Sequence, residues 1–175
     1  KITIESQSTI HTLKQLENGT LDIGLVAKPA NLKMYEFIPV AEIEDVFVAT
    51  KDYLDNLRLR EKYEDLFSAA TILLLDEENI SRKHVEEYFK DNNIIPQHIL
   101  EVSSMDLLIE FAKTSLGVAC VIKEFVSDEL NSGRLILIPL KKPINKREVG
   151  FCYSKSAYLS DSLKKLIDFV RLKNE

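Results

Sequence analysis

The chain has 175 residues, 45% of them hydrophobic and 29% charged, with a formal net charge of −5. That length accommodates one ordinary domain or two small lobes with a sizeable core. The acidic balance argues against a surface that grips nucleic-acid phosphates. Neither a run of about 18 apolar residues nor an N-terminal apolar signal region is present, so neither a membrane span nor export is expected, and the default location is the cytoplasm.

Ile2 and Ile4 alternate with polar residues and predict a short first strand. Ser6 to Thr9 supply helix-capping chemistry, Ile10, Leu13 and Leu16 recur at helical spacing, and Asn18-Gly19 predicts the helix end. Leu21 to Val26 reads as a buried strand closed by Pro29. Residues 30–39 read as irregular. Val46 to Ala49 predicts a strand, Leu54 to Phe67 a solvated surface helix, and Thr71 to Leu75 a further apolar strand.

A helix is expected from about Arg82 to Asp91, with Val85, Tyr88 and Phe89 as its apolar face, broken by Asn92-Asn93 and Pro96. From Glu101 to Leu140 the pattern alternates strand, helix, strand, helix, strand. Such alternation predicts a parallel sheet with helices on its faces. In such folds ligands sit beyond the carboxyl ends of the strands, beside the following helix N-termini. Val149 to Tyr153 predicts a last strand, and Ser160-Asp161-Ser162 opens a closing helix. Residues 29–40 and 141–147 are the linker candidates, as in a chain that leaves one lobe and returns to it.

Three stretches resemble the effector-binding domain of LysR-type transcriptional regulators. Leu16-Glu17-Asn18-Gly19-Thr20-Leu21-Asp22-Ile23-Gly24-Leu25 is similar to the family's L-x-x-G-x-L-D signature. Ile109 to Ile122 is similar to its helix, glycine and strand, with Ile122 where the family often has proline. Glu129 to Leu135 is similar to its E-L-x-S-G-x-L turn. The resemblance runs along the whole chain in order.

It implies an α/β, type 2 periplasmic-binding-protein-like fold. Two α/β lobes would flank a cleft, joined by two crossover segments: residues 1–39 with 147–175, and residues 40–146. It further implies a small-molecule effector bound in the cleft, a homodimer or tetramer built through lobe helices and strands, and DNA binding only through an N-terminal winged helix-turn-helix that is not among these residues. Helices from about Ser8 to Leu16 and Ser104 to Leu116 would supply the dimer faces. The family's domain begins one strand and one helix earlier than Lys1.

The candidate ligand contacts are of the kind that suits an anion. Ser8 and Thr9 open the first helix, and Asn79, Ile80 and Ser81 precede the helix that starts near Arg82. Ser103 and Ser104 lie between a strand end and a helix, Ser103 forming with Asp106 a near capping box. Lys28 is a possible partner for an acidic effector, and Ile122 a wall. Each of these also has an ordinary reading, as a cap or a solvated side chain. Arg82 is a weaker counter-ion candidate, expected to face solvent.

Nothing points to catalysis, a metal or a cofactor. His11, His84 and His98 are scattered, with His84 spaced to pair with Glu87 on a helix surface. Asp22 is the one acid read inside an apolar strand, and Cys120 and Cys152 fall in apolar runs, as buried thiols do. A free-standing solute-binding protein of a transporter is the alternative, sharing the fold but requiring export; an enzyme on the same scaffold would need an acid, base or phosphate loop that is not seen.

Overall fold

A computed structural model describes residues 2–60 and 65–173. The chain divides into two compact units, residues 1–43 with 147–175, and residues 44–146.

The first unit is built on a three-stranded antiparallel sheet in the order β1-β8-β2, with β1 at Gly24–Ala27, β2 at Tyr35–Ile43 and β8 at Arg147–Ser154. Helix α1 (Thr9–Glu17) brings Leu16 into a cluster with Val26, Tyr35 and Cys152. Helix α7 (Asp161–Lys173) sets Leu163, Ile167 and Val170 at helical spacing against Ile38 and Tyr153. Burial pushes the Cys152 thiol up to about 11, so it remains protonated and unreactive. Tyr35 is raised to about 12, first by burial and then by its hydrogen bond to Glu17.

The structure departs from the sequence reading here. Residues 2–8 form no strand; the side chains of Ile2 and Ile4 are about nine-tenths exposed, and no described strand pairs with them. The stretch 30–39, expected to be irregular, contributes the first half of β2. Pro39 disguised it. The proline is accommodated because β2 lies at a sheet edge and its register slips between Pro39 and Ala41. At that slip a Cβ on Gly150 would stand 2.2 Å from the carbonyl oxygen of Ile38, so only glycine lets the strands approach. β1 starts at Gly24 rather than Leu21, leaving Asp22 in an exposed bend.

The second unit holds a five-stranded sheet in the order β5-β4-β6-β3-β7. Its strands are β3 (Asp45–Ala49), β4 (Thr71–Leu75), β5 (His98–Val102), β6 (Val118–Ile122) and β7 (Ile136–Leu137). β4 runs parallel to β5 and β6, but β3 is antiparallel to both β6 and β7. The wholly parallel expectation therefore fails at one side of the sheet.

Strand periodicity sends alternate residues to opposite faces. Ile72 and Leu74 join Phe47, Val85 and Phe89 on one face, under α2 (Lys51–Arg60), α3 (Leu66–Ala69) and α4 (Ile80–Asp91). Phe47 makes an edge contact with Phe67 at 4.9 Å and stacks on Phe89 at 5.6 Å. Leu73 points the other way, to Leu108, Ile109 and Ala112 of α5 (Met105–Lys113). Each such large side chain contributes roughly 1.5–3 kcal/mol on burial.

The single surface helix expected over 54–67 is instead α2 and α3, and residues 61–64 of that expectation lie outside the described residues. The helix expected after β6 is a short 3₁₀ turn, Lys123–Val126, followed by α6 (Ser127–Asn131). At Gly117 a Cβ would stand 2.4 Å from the carbonyl oxygen of Thr71, so the glycine that separates α5 from β6 also allows β6 to lie against β4.

The ends of the second unit's chain are tied together. The Glu44 carboxylate receives hydrogen bonds from Lys123 at 2.7 Å and Lys146 at 2.9 Å, and the Lys123 amide donates to the Glu44 carbonyl at 2.8 Å. Those two ammonium groups hold the Glu44 carboxyl down at about 2, Lys123 contributing most. A carboxyl depressed from 4.5 stabilises the fold above that pH, and the contribution disappears as pH falls towards about 2. Glu44→Gln is expected to lower the urea midpoint slightly near neutral pH, with the gap to the parent closing in acid; equal midpoints at neutral pH would show that the clamp contributes nothing.

Candidate functional site

The carboxyl ends of β4, β5 and β6 lie at one end of the second unit's sheet, and β3 starts there, because Asp45 pairs with Ile122. Two helices begin at this end. Asn79 is the N-cap of α4, its side-chain oxygen accepting from the Ser81 amide at 2.9 Å. Ser104 is the N-cap of α5, its hydroxyl accepting from the Leu107 amide at 3.3 Å. The near capping box expected at Ser103 is therefore displaced by one residue, and Ser103 lies exposed in the loop. Ile80 and Ser81 occupy the first turn of α4, partly exposed, and Ile122 is partly exposed at the end of β6.

Asn79, Ile80, Ser81, Ser103, Ser104 and Ile122 thus share one end of one sheet. Helix starts carry amides that lack intrahelical partners and a partial positive charge. Two such starts beside adjacent parallel strands form a polar rim able to receive an oxyanion.

Arg82 is not where the sequence reading put it. Only 4% of it is exposed, and its guanidinium is engaged beneath the rim by two carboxylates and a backbone carbonyl. Nε donates to Glu86 at 2.7 Å, and Nη1 to the Leu75 carbonyl at 2.9 Å and to Glu101 at 3.0 Å. One side chain thereby ties the start of α4 to the last residue of β4 and to β5. The charge expected for an effector is spent on structure, and the reason is geometric: the first turn of α4 turns Arg82 inward with Val85 and Phe89.

Asp45, 3% exposed, is the group the sequence reading missed. It borders a cavity of about 10 Å³ with Ser81, Arg82 and Cys120, room for about one water. The signal was present: Asp45 directly precedes the apolar run of β3, and Arg82 precedes Glu86 by one helical turn.

The remaining candidates lie in the first unit. Ser8 caps α1, its hydroxyl 2.9 Å from His11 Nδ1 and accepting from the His11 amide at 3.4 Å. The Thr9 hydroxyl accepts from the Ala27 amide at 3.4 Å, placing it beside the end of β1. Lys28 is ion-paired with Glu148, so its charge is already balanced. His84 bonds the Asn145 carbonyl at 2.8 Å rather than Glu87. Cys120 and Cys152 are both buried. Among the described residues no cluster of three or more His, Cys, Asp or Glu could hold a metal ion, and no helix is long and apolar enough to cross a membrane.

Two α/β units with helix starts gathered at strand ends define a ligand-binding scaffold of the regulatory-domain kind. Solved structures agree on the fold. The effector-binding domain of QuiR in complex with shikimate superposes with a TM-score of 0.77 at 18% identity, over 95% of this chain and 78% of that one. The regulatory domain of CcmR from Synechocystis PCC6803 in complex with 2-PG gives 0.80 at 13% identity, over 100% and 84%. The regulatory domain of HypT from Salmonella typhimurium in its apo form gives 0.79 at 14%, over 98% and 81%.

Residues 1–174 match the family described as the LysR substrate binding domain, and the chain belongs to that family. Similar proteins include the HTH-type transcriptional regulator CzcR of Bacillus subtilis (strain 168), 22% identical over 95% of this chain and 55% of its own length. The HTH-type transcriptional regulator CbbR of Rhodospirillum rubrum is 21% identical over 91% and 52%. The chain spans about half the length of these curated relatives. Both of these relatives are named as transcriptional regulators, and neither as a transporter binding protein.

Removing the guanidinium should loosen the whole rim. Arg82→Ala leaves the Leu75 carbonyl unsatisfied and two carboxylates without their cation; because both carboxylates are about half exposed and can rehydrate, a loss of about 2 kcal/mol is expected in urea unfolding. An unchanged midpoint would show that Arg82 does not hold this end of the sheet together.

Proposed function

We propose that this chain is the ligand-sensing domain of a bacterial transcription factor, taking a small anionic effector at the carboxyl-end loops of its second unit. The observation that carries the reading is the pair of capped helix starts, α4 and α5, standing beside adjacent parallel strands above a buried, fully neutralised arginine. A neutralised guanidinium shapes the rim without competing for the ligand. Ser81, Ser104 and the helix-start amides are then the donors for an oxyanion, with Asn79, Ile80, Ser103 and Ile122 shaping the rim around it.

In the first unit, Ser8 and Thr9 are the candidate effector contacts, α1 having the same kind of capped start. Lys28 stands lower, because its ammonium would have to leave Glu148 to serve a ligand. The whole protein is read as a DNA-binding regulator of the bacterial cytoplasm. The names of its relatives support this, as does the share of their length that the chain spans. A non-catalytic role fits the same relatives. Self-association through the outer faces of α1 and α5 is part of the reading, supported by Leu107, which α5 leaves 41% exposed beside its buried Leu108 and Ile109.

The test is a thermal-shift screen against small carboxylates, phosphate esters and inorganic oxyanions. A binding anion should raise the melting temperature saturably, by the equivalent of about 2.7 kcal/mol at 100 times its Kd. Ser81→Ala and Thr9→Ala should each weaken that shift. A panel that leaves the melting temperature unmoved, or a shift indifferent to Ser81, would contradict the reading.

A further inference from the structure

The second unit has another polar depression at the opposite end of its sheet. There the amino ends of β4 and β5 lie side by side, Thr71 paired with His98, and α2 and the loop after α5 border them. The depression has a volume of about 490 Å³, within the range of small-molecule pockets. Arg60 and His98 line it, with Tyr53 and Asn56, and no carboxylate is among its described lining residues. Among the described residues neither Arg60 nor His98 is paired with an acid. In a chain with five more acidic than basic side chains, an arginine and an imidazole sharing one concavity are a departure from the surrounding charge.

Its wall is prearranged. The Thr71 amide donates to the Tyr53 hydroxyl at 2.8 Å, which occupies that oxygen as an acceptor and leaves its proton free to be donated. The Thr50 hydroxyl accepts from the Tyr53 amide at 3.2 Å and lies 2.6 Å from the Ser115 hydroxyl. Ser115 is held at a φ of +61°, a left-handed conformation uncommon for a residue with a side chain. That conformation closes α5, the Ser115 amide donating to the Ala112 carbonyl at 3.2 Å and the Leu116 amide to the Phe111 carbonyl at 3.3 Å. Leu57 and Ala69 add an apolar patch to the same depression.

We propose that this end of the second unit is a second binding site, for a small organic anion whose oxyanion is held by Arg60, His98 and the Tyr53 hydroxyl while its apolar body rests on Leu57 and Ala69. It is separate from the carboxyl-end loops and does not depend on them.

Phenyl phosphate is the probe that carries both parts, and inorganic phosphate the control that lacks the body. In amide NMR titrations of the full chain, phenyl phosphate should shift Tyr53, Thr71 and Ser115 saturably, and inorganic phosphate should bind them several-fold more weakly. Arg60→Ala should weaken phenyl phosphate at least about 10-fold, the scale of one charge-assisted hydrogen bond. His98→Gln, at an exposed strand end, is a second variant expected to weaken it by less. Shifts confined to Ser81, Ser103 and Ser104, or affinity unchanged in both variants, would overturn the site. Equal binding of the two phosphates would overturn the assignment of an organic ligand.

Discussion

The guanidinium of Arg82 is the interaction on which the carboxyl end of the second unit's sheet depends. An arginine buried to 4% exposure is tolerated only where its donors are met and its charge is balanced. Here a backbone carbonyl and two carboxylates meet it, each from a different place in the sequence. The same contacts fix the start of α4 over the end of β4 and brace it against β5. The loop from Asp76 to Asn79 inherits its position from that brace.

Sheet direction then distributes chemistry between two ends. β4, β5 and β6 run the same way, so one end gathers their carboxyl termini and the starts of α4 and α5, while the other gathers Thr71, His98, α2 and the loop after α5. β3 runs against this direction and brings Asp45 to the first end. A buried acid therefore sits below a rim of helix starts, bordering the same small cavity as Arg82.

Much of this was legible in the residues. The apolar runs that became β3, β4 and β6, the helical spacing of Val85, Tyr88 and Phe89, and the capping stretch Ser6 to Thr9 all declare themselves locally, whereas α4 starts at Ile80, two residues before the expected Arg82, with Asn79 as its cap. What was hidden depends on tertiary partners. Pro39 reads as a breaker, and only the register slip beside Gly150 makes it a strand residue. Ile2 and Ile4 have a strand's alternation, yet pairing decides a strand, and no described neighbour pairs with them. Arg82 has the composition of a surface residue until Leu75 and Glu101 are seen to enclose it. Ser103 and Ser104 are chemically equivalent, and backbone geometry alone selected Ser104 as the cap.

Amide hydrogen exchange, with and without the anion that stabilises the chain most, tests the central claim most directly. Binding at the carboxyl-end rim predicts added protection at residues 79–83 and 103–107, with the amides of Thr71 and His98 unchanged. Protection that bypasses both helix starts, or that appears only at the opposite end of the sheet, would contradict it.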